Sequence, residues 1–334
     1  MKTKALIPII LIVLISCDDR RLNFDRGIIP PVPVNFAEVN SPYNDYNSDL
    51  EITWASRVYT LIFSSDRDSH GNDFDLIGYR GEAWFDLIDG TFEMKAERRS
   101  LSLLGSVNST ASELGPFFTG DFNYFSWFGF MKDTELHRLF YTTDAEGNTD
   151  ISCHYYSLAV QDDFEPVGEP LPLTAINSSY NEGYLTIHHG EAANREVVYF
   201  TSDRDGDYDI WMAVGDDNKL IDESPGLTLN RVGQLSSTSS DKCPYISGDV
   251  MVFTSDRAGG YGGFDLWYSV WDGQQWSVPV NFGGQINTEY DEYRPVVVST
   301  DEKYFLNDLM IFSSDRPGGK GGFDLYYVGI PRLN

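Results

Sequence analysis

Residues 310–328 read MIFSSDRPGGKGGFDLYYV: an apolar run, a glycine-rich turn and an aromatic run. Residues 310–314 suit a strand buried on both faces, and 323–328 carry the aromatic and β-branched residues that strands favour. Gly318, Gly319, Gly321 and Gly322 lie between them, and residues without a Cβ take the positive φ that a tight reversal needs. The stretch predicts a β-hairpin.

The hairpin recurs as LIFSSDRDSHGNDFDLIGY (61–79), LFYTTDAEGNTDISCHYY (139–156), VYFTSDRDGDYDIWMA (198–213) and VFTSDRAGGYGGFDLWY (252–268), anchored on Asp66, Asp144, Asp203, Asp256 and Asp315. A second element keeps the same period, a branched apolar residue followed by Asn and Ser or Thr: 39–41, 107–109, 176–178 and 286–288, with Leu235-Ser236-Ser237 as a degenerate copy. Long repeats rich in short strands point to propeller blades rather than a helical solenoid. A first strand, such as YRPVVVS (293–299), precedes each hairpin, and a fourth follows it, clearest at 164–173 and 276–282. VPVNF at 32–36 is identical to 278–282, and the last hairpin has no fourth strand after it. The sequence therefore predicts an all-β, five-bladed β-propeller of four-stranded antiparallel blades, closed by an N-terminal strand that completes the last blade and removes open edges.

Lys2 and Lys4 precede an apolar run at 5–15 that ends in Leu14-Ile15-Ser16-Cys17. The run is too short to span a bilayer, and its end resembles the lipobox of a bacterial lipoprotein, which makes Cys17 the expected lipid attachment site. The expected organisation is a signal peptide at 1–16, a tether at 17–27 and a propeller at 28–334, anchored to the outer membrane and either periplasmic or surface-exposed. The formal net charge is −27, which argues against nucleic acid or an anionic surface as partner and suits cations or a basic protein. Cys153 and Cys243 are the remaining cysteines, and the sequence leaves open whether they pair.

The SSDRPGGKGGFDLYY hairpin, with VNSPYNDY (39–46) and INTEYDEY (286–293), resembles the TolB-like β-propeller repeat family of Gram-negative envelope proteins. The resemblance covers most of the mature chain and departs in the second repeat, where Ala145 stands in the arginine position. It implies a propeller in the cell envelope with a protein-binding or scaffolding role, and no reaction.

Two repeated polar patterns are candidates for chemistry. Asp66-Arg67, Asp203-Arg204, Asp256-Arg257 and Asp315-Arg316 are each followed by a second aspartate, Asp75, Asp209, Asp265 or Asp324. The expected role is a hairpin latch in which the first aspartate caps the turn and the arginine grips the second carboxylate across the hairpin. Four equivalent copies cannot be one catalytic centre. Five residues after each Asn-Ser/Thr element stands an acid: Asp45, Glu113, Glu182, Asp241 or Glu292. At the start of each innermost strand these would either ring one mouth of the axial channel, as a site for Ca²⁺ or a cationic group, or cap their own turns. No cofactor is otherwise indicated. The 203–209 stretch, DRDGDYD, lacks the spacing of an EF-hand, and the glycine-rich turns lack phosphate-loop spacing.

The connection from 79 to 107, which carries Trp84, Phe85, Lys95 and 97–99, is longer than its counterparts and reads as an enlarged loop or an extra hairpin. The aromatic region at 117–130 reads as core or as an exposed binding surface. The expected function is a non-enzymatic binding or scaffold module for another envelope protein. The alternative is a carbohydrate-binding or glycoside hydrolase-like propeller using axial carboxylates, which would need acids made unequal by their surroundings.

Overall fold

The computed structural model describes residues 22–333 apart from 55, 120–135, 159–163, 191–194 and 215–226. The signal peptide and Cys17 lie outside the described residues. Blade 1 is β2 (Asp45–Thr53), β3 (Val58–Ser65), β4 (Asp75–Phe85) and β5 (Phe92–Arg99). Helix α1 (Ser102–Val107) leads to blade 2: β6 (Glu113–Thr119), β7 (His137–Thr143), β8 (Asp150–Leu158) and β9 (Phe164–Pro172). Blade 3 is β10 (Glu182–Gly190), β11 (Arg195–Ser202), β12 (Asp209–Val214) and β13 (Thr228–Arg231). Blade 4 is β14 (Asp241–Ser247), β15 (Val250–Ser255), β16 (Asp265–Val270) and β17 (Val280–Asn281). Blade 5 is β18 (Glu292–Val298), β19 (Asp308–Ser314) and β20 (Asp324–Ile330), and β1 (Val34–Asn35) supplies its fourth strand. Val34 pairs with Tyr327 and Asn35 with Tyr326, so the ring closes as the sequence predicts.

The repeated motif is the cross-link between blades. Each inner strand bulges two residues after its acid, at Asn47, Gly115, Tyr184, Cys243 or Arg294, where φ lies between 47° and 57°. The N–H exposed there donates to a hydroxyl on the second strand of the preceding blade, Ser313, Ser64, Thr142, Thr201 or Thr254, at 2.9–3.2 Å. That hydroxyl is the first residue of the Ser/Thr-Ser/Thr-Asp sequence. The asparagine of the second element works alongside it: Asn40, Asn108, Asn177 and Asn287 each pair their amide with both backbone groups of Leu325, Leu76, Ile151 or Leu266 one blade back. Ser236, in the degenerate copy, cannot span that gap, and its buried hydroxyl has no partner. Apolar packing fills the space between sheets, and the largest cluster joins blades 1, 4 and 5 through residues such as Leu61, Val252 and Phe312.

The turn glycines are explained by close approach as well as by φ. Gly318 has φ 97°, whereas a Cβ on Gly321 would sit 1.7 Å from the carbonyl oxygen of Tyr43 in the next blade. The long connection at 79–107 is neither a loop nor an additional hairpin. It is the extended outer hairpin of blade 1, β4 and β5 paired from Gly78–Arg99 to Phe85–Phe92, followed by α1. From residue 22 the tether is docked: the N–H groups of Asn23 and Phe24 bond the Leu87 carbonyl, and Gly27 pairs with Phe305. Cys153 and Cys243 lie in different blades as buried thiols that do not pair with each other.

Candidate functional site

The five inner-strand acids are buried, each at 0–1 % exposure, and their oxygens are spent inside their own blades. Glu182 is representative: it accepts from Ser178 N at 2.8 Å, Ser178 Oγ at 2.9 Å, Ser202 Oγ at 2.7 Å and Arg204 Nη2 at 2.9 Å. Asp45 with Arg67, Asp241 with Arg257 and Glu292 with Arg316 repeat the arrangement. This corrects the latch. The arginine grips the first carboxylate of the inner strand rather than Asp75, Asp209, Asp265 or Asp324, and its other reach is to the carbonyl of Val39, Ile176, Leu235 or Ile286. The second aspartates cap the glycine-rich turn instead: Asp265 accepts from Tyr261 N at 2.7 Å and Asn281 Nδ2 at 2.8 Å, and Asp324 from Lys320 N at 2.5 Å and Asn35 Nδ2 at 3.0 Å. Asp209 pairs with Arg231 at 2.5 Å, while Asp75 is pushed upward by burial and by Asp68 and Asp73. The first aspartates hold the turn before each inner strand, as Asp66 does for the Asn44 amide at 2.8 Å. The acids therefore take the capping role and form no open ring; among the described residues no His, Cys, Asp or Glu group is arranged to hold a metal ion.

Blade 2 breaks the pattern. Ala145 replaces the arginine, and Ser152 stands where Trp211, Trp267 and Tyr326 back the guanidinium in blades 3 to 5. Among the described residues Glu113 keeps only Ser109, which donates from N at 3.1 Å and from Oγ at 2.7 Å. Burial then pushes its carboxyl up to about 7 against those two bonds.

The axis is filled by residues that do not repeat. Arg294 is fully buried and donates to the carbonyls of Pro244 and Pro116, both at 3.1 Å, tying blade 5 to blades 4 and 2. Asp49 accepts from Phe118 N at 2.7 Å, and burial raises it to about 6 despite that bond and the Arg294 charge.

The inner strands begin at one end of the axis, the axial mouth, and there the residue that follows each acid is Tyr46, Leu114, Gly183, Lys242 or Tyr293, with Gly183 buried against Thr142 of blade 2. Tyr46 packs against Phe74 at 4.9 Å and Phe323 at 5.7 Å, and Tyr293 against Phe264 at 5.5 Å and Phe323 at 6.4 Å. Lys242 Nζ lies 3.8 Å from the Tyr208 ring centre and 5.3 Å from that of Phe264. Alignment of the five repeats would have exposed this position, since it varies beside an unvarying acid.

At the opposite end of blade 1, the extended β4–β5 hairpin forms a cleft of about 790 Å³ lined by Arg80, Glu82, Trp84, Glu97 and Arg99, among others. A neighbouring groove of about 280 Å³ shares Trp84 and adds Trp54 and Tyr304. Lys95 Nζ stands 4.6 Å from the Trp84 ring centre. In the 117–130 aromatic region only Phe117 and Phe118 fall within the described residues, and both are packed: Phe117 on Phe140 and Tyr245, Phe118 on Tyr156 and Phe164.

No protein-family model and no curated protein matches the chain. Among solved structures it is similar to an endo-arabinase from Bacteroides thetaiotaomicron, at 12 % identity and TM-score 0.54 over 90 % of this chain and 97 % of that one. A glycoside hydrolase matches at 10 % identity and TM-score 0.57, covering 90 % and 92 %. A GH62 hydrolase solved in complex with xylotriose matches at 11 % and 0.52, covering 91 % and 97 %. At such identities the likeness establishes the five-bladed fold. The expectation of a non-enzymatic scaffold for an envelope protein is corrected by these neighbours, which are described as an endo-arabinase and glycoside hydrolases.

Proposed function

We propose that the chain is a carbohydrate-binding propeller whose saccharide lies in the blade 1 cleft. The cleft carries this reading, because it is built by the part of the chain that the repeat does not need. An indole such as Trp84 offers an apolar face to the C–H side of a sugar ring, while guanidinium and carboxylate groups such as Arg80, Arg99, Glu82 and Glu97 meet vicinal hydroxyls. About 790 Å³ falls in the range of small-ligand sites. The fold shared with carbohydrate-active enzymes supports the same ligand class. Hydrolysis by the axial carboxylates is disfavoured, because glycosidic cleavage needs two accessible carboxylates, one acid and one base or nucleophile. The inner-strand acids are buried, and four are held by arginines.

Calorimetric titration with a panel of neutral plant oligosaccharides tests the proposal. At least one should bind the wild type, and Trp84→Ala should weaken it by about tenfold or more, the loss of one stacking platform. No binding at millimolar saccharide, or binding indifferent to Trp84, would overturn it.

A further inference from the structure

The axial mouth carries a cation that the fold does not use. Each consensus arginine is consumed by its inner-strand acid, and Arg294 is consumed by two carbonyls. Lys242 differs. Its ammonium is half-buried against the rings of Tyr208 and Phe264 and, among the described residues, makes no hydrogen bond or ion pair. The two aspartates that influence it most, Asp256 and Asp203, already hold the Ser240 and Asn181 turns. Beside it, half-buried Tyr293, Phe323, Tyr46 and Phe74 continue the wall, while the corresponding positions hold Leu114 and Thr149 in blade 2 and Gly183 in blade 3.

We infer that the axial mouth is a second binding site, selective for a carboxylate, with Lys242 as the cationic contact and the aromatic wall receiving the body of the ligand. A desolvated ammonium gains most from a counter-ion placed against it, because water competes weakly there. Burial already drives the Lys242 amine below the usual lysine range, so an arriving carboxylate restores its charged form. The net charge of −27 opposes anions at long range, so recognition has to be made at contact distance. A uronic acid saccharide combines the carboxylate with a ring suited to the wall. That choice of bearer rests on the carbohydrate reading, whereas the carboxylate rests on Lys242 alone.

The test is titration of the full chain with trigalacturonate and with galactotriose, comparing wild type, Lys242→Met, Lys242→Arg and Trp84→Ala. In parallel, benzoate is titrated while the Lys242 resonance of reductively ¹³C-methylated protein is followed. Trigalacturonate affinity should fall about tenfold or more in K242M, recover in K242R and survive in W84A, the size expected for one charge-assisted contact. Trigalacturonate bound no better than galactotriose, or unchanged in K242M, overturns the inference while leaving the carbohydrate reading intact. A benzoate-dependent shift at Lys242 with no saccharide bound supports the carboxylate site and refutes the carbohydrate reading. No shift and no trigalacturonate binding refutes the site.

Discussion

Glu113 should make the protein lose stability as the pH rises through neutrality, and Glu113→Gln should remove that loss. The carboxyl is displaced from 4.5 to about 7, mainly by burial, because Ala145 leaves it without the arginine that its four counterparts have. Below pH 4.5 it is protonated in both the folded and unfolded chains and costs nothing. Between 4.5 and 7 the unfolded chain ionises first, so stability drains away, and above 7 the full cost is present. At about 1.4 kcal/mol per pH unit the displacement amounts to about 3 kcal/mol. Glutamine keeps the local bonds, since its Oε1 accepts from Ser109 N while Nε2 donates to Ser109 Oγ. Urea unfolding of both proteins from pH 4 to pH 8 gives the comparison. The variant's stability relative to wild type should rise by about 3 kcal/mol across the window, and the separate contribution of Asp49, raised to about 6, cancels between the two. A difference that stays constant with pH refutes the account of Glu113. Glu182→Gln is the control. It strands the Arg204 guanidinium, so at pH 8, where E113Q gains, it should lose about 3–5 kcal/mol.

Two further predictions concern the ring itself. Thr254→Val keeps the side-chain shape but leaves the Arg294 N–H without its acceptor, so urea unfolding should show a loss of about 1–3 kcal/mol; an unchanged midpoint would mean that the inter-blade bond contributes nothing. Removing residues 1–36 deletes β1 and leaves β20 with an unpaired edge, so the truncated chain should self-associate in analytical ultracentrifugation, and a stable monomer with wild-type Tm would sink the closure argument.

The architecture was legible because the signals that specify it recur. Hairpin, asparagine element and the VPVNF match each appear where a blade needs them, and every one maps onto a backbone requirement now visible: Asn40 reaching Leu325, Ser313 receiving Asn47, β1 pairing with β20. The register of the inner-strand acids was equally legible, but the arginine's choice of carboxylate was not. Both candidates lie within reach in sequence terms, and the deciding factor is burial. Asp45, Glu182, Asp241 and Glu292 are inside the blade, where an uncompensated charge is costly, while the second aspartates already have turn N–H groups to accept from. The cleft was visible only as an irregular connection, because a segment present in one copy has no second copy whose alignment would reveal that its two strands pair with each other.

The same reasoning separates residues that serve the ring from residues that serve a ligand. Asp241 and Lys242 are adjacent, and strand alternation sends them to opposite sides. Asp241 turns toward its own hairpin, meets Ser255 and Arg257, and recurs as an acid in all five blades. Lys242 turns instead to the rings of Tyr208 and Phe264, and the equivalent positions hold two tyrosines, a leucine and a glycine. A position demanded by the fold cannot tolerate that range, since every blade has the same bulge, the same hydroxyl acceptor and the same turn to satisfy. Variation at this position, buried Gly183 aside, means that the shared geometry of the repeat does not set the residue. An anion in the mouth would offset the cost of placing a desolvated ammonium there.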